Sequence, residues 1–431
     1  MEEHDESHTS SAPEKKVERS SKLRRARKGR NKILNKIVTK ANGIFGSFNR
    51  NDIPANSTPG PPRVRGGVRL RGCLTDDEHR QVTKEIVERL RPLRSEEGLR
   101  VAGFEFRSVP LQTDGDDHEN NGSSTSSTRL FHIESDTMIT LENRKDFIAD
   151  GDMYEAIARV CQQYAQEIMI KEGNLEWTTI TEQGNNPEPI RAIVSTSIGK
   201  DETCLDTTPT LLIATGKGKV RAGIFSRQHL ICSGMECSTA VPIVKEAIKR
   251  KMNIIMIDPN VHGDRLGMKT FEASLSKLFR RWEEDHSVDQ PPLGKRDLYV
   301  LSHSQSGAQL ASYLLDKSKH YVPHIRAVAF TDSTHNIQWS RQDEDLHQLL
   351  QSDKCVYFKV SRENSNERSL APLESVGRQI ETDNVWRARF GEIVTRCAGT
   401  TEHSLTNWFA LRHIWDHFDH HLKESSANGK M

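Results

Sequence analysis

From about Arg191 onward the chain repeats one rhythm: a short, continuously apolar run, then a stretch with helical spacing, then another apolar run. The runs are RAIVSTS (191–197), TLLIATG (210–216), QHLIC (228–232), NIIMIDP (253–259), DLYVLSHS (297–304), IRAVAFTD (325–332), CVYFKVS (355–361) and EIVTRCAG (392–399). Runs of Val, Ile and Leu without polar alternation suit strands covered on both faces, because neither side chain direction meets water. Between the later runs the 3.6-residue spacing predicts helices at Val241–Lys251, Phe271–Trp282, Ala308–Lys317, Gln342–Gln351 and Ser404–Leu422. Strand–helix alternation of this length fits crossover connections, so residues 191–424 are expected to form a doubly wound, mostly parallel α/β sheet. No internal repeat is visible.

Upstream the pattern is weaker. Thr75-Asp-Asp-Glu78 reads as a capping box, followed by Val82, Ile86, Val87 and Leu90 on one face and ended by Pro92. FEF (104–106) and RLFHI (129–133) look like short strands around the polar loop DGDDHENNGSSTSST. Met153–Lys171 reads as an amphipathic helix closed by Gly173. Two short strands cannot bury a core of their own. Residues 73–190 are therefore expected to be an N-terminal β/α extension of the main sheet rather than a separate lobe. Residues 425–431 read as a polar tail.

Charge changes the picture at the N-terminus. Lys and Arg total 61 against 60 Asp and Glu, yet Lys15–Lys40 holds twelve basic residues and a single acid, Glu18. Self-repulsion keeps such a block disordered, and its field attracts polyanions. Residues 1–72, which end in the linker PANSTPGPPRVRGG (54–67), are thus expected to be a disordered basic segment. It suits nuclear import or non-specific nucleic-acid contact, and equally a solvated tail with no dedicated partner. Seven scattered cysteines without a CxxC pair fit a reducing compartment. No apolar run approaches the ~20 residues of a membrane span, and no apolar leader is present at the start. The expected locations are nucleus and cytoplasm, with no membrane partner.

The chemistry concentrates where the fifth apolar run meets a helix. In SHSQSGA (302–308), Ser304 stands at a strand-to-helix turn flanked by small residues, the layout of a nucleophile elbow, although the usual G-x-S-x-G has Ser302 and Ser306 in place of glycine. That elbow makes the predicted sheet one of the α/β-hydrolase type. The Gln305 amide, at a helix N-terminus, would help hold an oxyanion. Gly216, Lys217 and Gly218, after the strand TLLIA, occupy the place of the loop that supplies the other oxyanion donors. A triad in the chain order Ser, acid, His would take His403 as base. Asp332 or Glu363 would be the acid, and Asp332 is preferred because it closes an apolar strand directly. Each residue also has a plain structural reading: a tight packing turn, a turn aspartate and a helix-entry histidine.

Other features carry less. His413 and His417 have i,i+4 spacing, but HIWDH lacks the HExxH glutamate and no third ligand is evident, so neither metal nor cofactor is expected. GKGK lacks the spacing of a phosphate-binding P-loop.

Taken together, GKGKVRAG, IVKEAIKRKMNIIMIDPN (243–260), SHSQSGA, AVAFTDSTHN (327–336) and TTEHSLTNW make the chain resemble the argonaute-binding-protein domain family from about Glu105 to Leu422. Its metazoan members are called cotranscriptional regulators, and the domain also occurs appended to fungal histone deacetylases. Members usually read HGSG where this chain has TGKG, and HSxGG where it has HSQSG. The resemblance implies an α/β-hydrolase-like fold used in the nucleus for protein contacts. The implied partners are argonaute-type and chromatin-associated proteins, in RNA silencing, chromatin regulation and alternative splicing. The expectation is a nuclear adaptor; the alternative is a serine hydrolase acting on an ester, thioester or amide.

Overall fold

A computed structural model describes residues 95–110, 126–181, 188–284, 297–315, 317–360 and 376–428, all within the compact unit Gly67–Met431. The basic stretch Lys15–Lys40, the capping box at Thr75 and Glu363 lie outside the described residues.

Eight strands form the main sheet: β4 (Leu175–Thr181), β5 (Ile190–Ser195), β6 (Thr210–Ala214), β7 (Asn253–Ile257), β8 (Leu298–His303), β9 (Ile325–Thr331), β10 (Cys355–Lys359) and β11 (Val394–Cys397). Their spatial order is β4-β5-β7-β6-β8-β9-β10-β11. The six from β7 to β11 run parallel, while β5 pairs antiparallel with both β7 and β4. One swapped pair of central strands and an antiparallel second strand give the α/β-hydrolase topology.

The continuous apolar runs do what their composition requires. Along β6, Leu211 and Ile213 enter one core with Tyr299 and Leu301, while Leu212 and Ala214 enter the opposite core with Val300. Each fully buried aliphatic side chain contributes ~1.5–3 kcal/mol, so a polar residue at these positions would be strongly destabilising on either face. One face is covered by α2 (Asp152–Gly173), α4 (Val241–Lys249) and α8 (Leu411–Asn428), the other by α5 (Gly267–Leu278), α6 (Gln305–Leu314) and α7 (Glu344–Gln351). On α8, Phe418 meets the buried Tyr299 ring edge-on at 5.7 Å.

Three departures from the pattern reading have physical causes. QHLIC is helical, not a strand: it belongs to α3 (Arg227–Cys232), capped by Ser226, whose Oγ accepts the His229 amide at 3.1 Å. An apolar run of this length has no readable period, so the cap decides. β4 has an alternating, Thr-rich sequence unlike the buried runs, because it is the edge strand of the described sheet. β1 (Phe104–Pro110), β2 (Ser126–His132) and β3 (Thr137–Met138) form their own antiparallel sheet instead of extending the main one. Their apolar residues Phe104 and Leu130, with Leu99 from α1 (Ser95–Val101), share a core with α2. Glu236 ties β2 down by accepting from the Thr128 amide at 2.8 Å and the Thr128 hydroxyl at 2.8 Å.

Candidate active site

β8 ends at Ser304, which takes φ 58° and ψ −124° before α6 begins. A non-glycine residue there costs of order 1–3 kcal/mol and persists only where its surroundings fix it. They do so on both sides. The Ser304 amide donates to the Thr331 carbonyl at 3.0 Å, and the Ser304 carbonyl accepts from the Thr334 amide at 3.0 Å.

The unusual elbow spelling is accommodated by a buried hydroxyl pair. Ser302 and Ser306, standing where glycines are usual, are wholly buried with their Oγ atoms 2.9 Å apart. Ser306 Oγ also lies 2.9 Å from the Ala214 carbonyl. The close approach falls instead at Gly307, where a Cβ would come within 1.8 Å of Ser333 Oγ.

Asp332 follows β9 at φ 40°, its amide donating to the Phe358 carbonyl at 2.8 Å. His403 lies in a 3-10 turn, His403–Leu405, after β11. Although 71 residues apart, the two meet, with His403 Nδ1 2.5 Å from Asp332 Oδ2. A carboxylate on Nδ1 fixes the tautomer that leaves Nε2 free to accept a proton. The His403 side chain is 47% exposed, so that nitrogen is not walled off.

Beneath it lies His303, whose ring is 4.7 Å from that of His403 and 5.5 Å from Phe225. Complete burial, with a smaller contribution from His403, pushes His303 well below the usual histidine range, so it is a neutral packing ring. Its Nδ1 is 3.2 Å from Thr331 Oγ1.

The loop after β6 comes to the same point. A Cβ on Gly216 would stand 2.7 Å from Ser304 Cβ and 3.1 Å from its Oγ, so only glycine lets this backbone pass. Thr215, where the family motif has His, is buried, and its hydroxyl has no hydrogen-bond partner among the described residues. Lys217 turns outward, 3.5 Å from Asp264, and Gly218 takes φ 127°. Among the described residues, the amides of Gly216, Lys217, Gly218 and Gln305 donate to no protein atom. The Ser304 hydroxyl likewise makes no protein hydrogen bond, so the Ser304–His403 contact is not closed in this structure. Such contacts are often long until a substrate tightens them.

The structure therefore brings together Ser304, Asp332, His403 and the Gly216–Gly218 loop, with Gln305 opening α6. Pattern reading overlooked His303 and Asn260. Asn260 is buried after β7, and its amide donates to the Gly216 carbonyl at 2.8 Å and the Val220 carbonyl at 3.0 Å. A polar D-P-N at the end of a wholly apolar strand was the available signal.

The α8 histidines behave differently. His417 Nε2 is 3.1 Å from the Lys354 carbonyl, and His413 Nδ1 is 3.5 Å from Asp416. Among the described residues no group of three His, Cys, Asp or Glu side chains is placed to hold a metal. No described helix is long and apolar enough to cross a membrane. A cavity of about 1200 Å³ is lined by Gly218, Lys219 and Arg221 of the loop, and Ser304 is not among its lining residues.

Strand order, elbow and Asp–His pair define a protein of the α/β-hydrolase fold carrying a Ser–Asp–His array. No family model matches the chain. By sequence it is a distant relative of the cotranscriptional regulators named ARB2A. It is 19% identical to that of mouse over 70% of this chain and 79% of the relative, and 19% identical to the human protein over 67% and 76%. The Xenopus tropicalis homolog is 20% identical over 70% and 78%. Similar solved structures include the carboxylesterase EstE1 from a metagenomic library (13% identity, 42% of this chain and 56% of that chain, TM-score 0.27). Another is AbyA5 (12%, 65% and 79%, TM-score 0.35).

Proposed function

We propose that this chain is a regulator of gene expression that works as a nuclear adaptor, its α/β-hydrolase-like domain binding argonaute-type and chromatin-associated proteins. The observation that carries the reading is its similarity, along about 70% of its length, to proteins named cotranscriptional regulators. RNA silencing, chromatin regulation and splicing are the processes this reading places it in. Lys15–Lys40 supports import, with some protein remaining in the cytoplasm, and makes non-specific nucleic-acid contact. Binding of the purified full-length chain to a recombinant argonaute, measured by biolayer interferometry, tests the partner; no response at tens of micromolar would remove argonaute from the proposal. Deleting residues 15–40 from a tagged chain should shift it toward the cytoplasm, and an unchanged distribution would rule out the import role.

A second reading, serine hydrolysis in the same domain, is favoured by the Asp332–His403 pair beside a strained Ser304. Ser304 Oγ would attack a carbonyl carbon while His403 Nε2 takes the hydroxyl proton, and Asp332 holds the resulting imidazolium. Amides of Gly216–Gly218 and Gln305 would receive the oxyanion. Collapse of the tetrahedral intermediate would break the acyl bond, with His403 returning the proton to the leaving oxygen, sulfur or nitrogen. Water would then release the acyl group by the same route. A fluorophosphonate probe should label the native chain and neither Ser304→Ala nor His403→Ala. An unlabelled, folded native chain would leave the adaptor reading alone.

A further inference from the structure

The loop that approaches Ser304 packs at its two ends, Gly216 against Ser304 and Val220 against the core. Gly218, Lys219 and Arg221 line the cavity of about 1200 Å³ instead of a core. Between those ends the loop is tied by a set of polar side chains. The Asn260 carboxamide donates to carbonyls at both ends of the turn, Gly216 at 2.8 Å and Val220 at 3.0 Å. Asn260 is itself fixed, its backbone amide donating to Asp258 Oδ1 at 3.1 Å. The other Asp258 oxygen accepts from Arg221 Nε at 2.6 Å, closing the brace on the next residue of the loop. Beyond that, the Arg221 amide donates to Gln162 at 3.0 Å and Gln166 donates to the Ala222 carbonyl at 3.0 Å.

From this geometry we infer that Asn260 is the positioning residue of the oxyanion loop, holding the Gly216–Gly218 amides toward Ser304. The inference rests on the hydrolase reading for its chemical consequence, but not for the brace itself. Both amide hydrogens of Asn260 go to loop carbonyls, and among the described residues the intervening Lys217 and Gly218 N–H groups donate to no protein atom. A carboxamide is required because two donors must reach two carbonyls from one side chain. Aspartate has the same shape and no donor when ionised, so it separates hydrogen bonding from packing.

Asn253 supplies the control: it opens β7, at the other end of the strand that leads to Asn260, is similarly buried, and makes its own side-chain bonds to Ser197 Oγ and the Cys204 carbonyl. The test uses the full chain and two readouts. Amide hydrogen exchange over residues 212–222 should quicken about tenfold or more in Asn260→Ala and Asn260→Asp, and stay at the native rate in Asn253→Ala. Unchanged exchange in both Asn260 variants overturns the brace, and does so even in a protein that never reacts with a probe. Where the native chain is labelled by fluorophosphonate, both Asn260 variants should react ~10–100-fold more slowly per folded molecule, the loss expected for misplaced oxyanion donors, with Asn253→Ala unaffected. Native-rate labelling in Asn260→Asp overturns the positioning role. A native chain with no labelling defeats the hydrolase reading, and exchange then decides the brace alone.

Discussion

Histidines gather at both ends of the same parallel sheet, and the two groups have opposite surroundings. At the carboxyl end, His403 is half exposed and carries the Asp332 carboxylate on Nδ1. At the amino end, His417 and His421 point Nε2 at the carbonyls of Lys354 and Asp353, just before β10. Burial first, and then neighbouring His421, push His417 down to about 4. A carbonyl accepts a proton-bearing nitrogen and so holds a histidine in place by occupying it. A carboxylate on the opposite nitrogen also orients the ring, and leaves its other nitrogen open. Helical spacing made the α8 histidines conspicuous, yet the isolated His403 is the one paired with a carboxylate.

Four substitutions would break or sharpen this contrast. The largest effect is expected for Asp332→Asn, which keeps the contact but reverses the tautomer preference. Where the native chain is labelled by fluorophosphonate, labelling should fall ~10³–10⁴-fold with little change in thermal midpoint, whereas a residual rate within tenfold of native would mean that His403 does not act as the base. Next is Gly307→Ala, whose added carbon collides with the side chain of Ser333; urea denaturation should show a loss of ~2–3 kcal/mol or more.

His417→Gln should act through pH. His417 is neutral in the folded chain near neutrality, whereas the unfolded chain takes up a proton near pH 6.5. The native protein therefore loses stability as pH falls from about 6.5 toward 4, by up to ~3 kcal/mol from this residue, and the variant should lose correspondingly less over that window. Parallel stability–pH curves for the two proteins would remove His417 from the acid response. Smallest is Lys217→Ala, which breaks an exposed pair with Asp264 and should shift stability by no more than ~0.5 kcal/mol. A large loss of labelling in that variant would show that the side chain, and not only the loop backbone, serves the site.

The fold class was legible in the continuous apolar runs that became the parallel strands, and so were the positions of the candidate residues at their ends. Ser304, Asp332 and His403 could be read because each follows an apolar run, and the end of a buried strand is where a polar side chain stands out. β4 and QHLIC could not, since an edge strand has no continuous apolar run and five residues have no measurable period. The bracing role of Asn260 was hidden for another reason. Its partners are backbone carbonyls forty-four and forty residues away, and backbone acceptors leave no mark on residue identity.

The meeting of His403 with Asp332 has a consequence in time. Their 71-residue separation means that a ribosome adding ~5–20 residues per second needs roughly 4–14 s after finishing β9 to supply the histidine. Until then a nascent chain carries Ser304 and Asp332 without His403, and without α8, whose Phe418 meets Tyr299. A chain that stops before His403 lacks the partner of Asp332, and one that stops before α8 lacks the Phe418 ring that meets Tyr299.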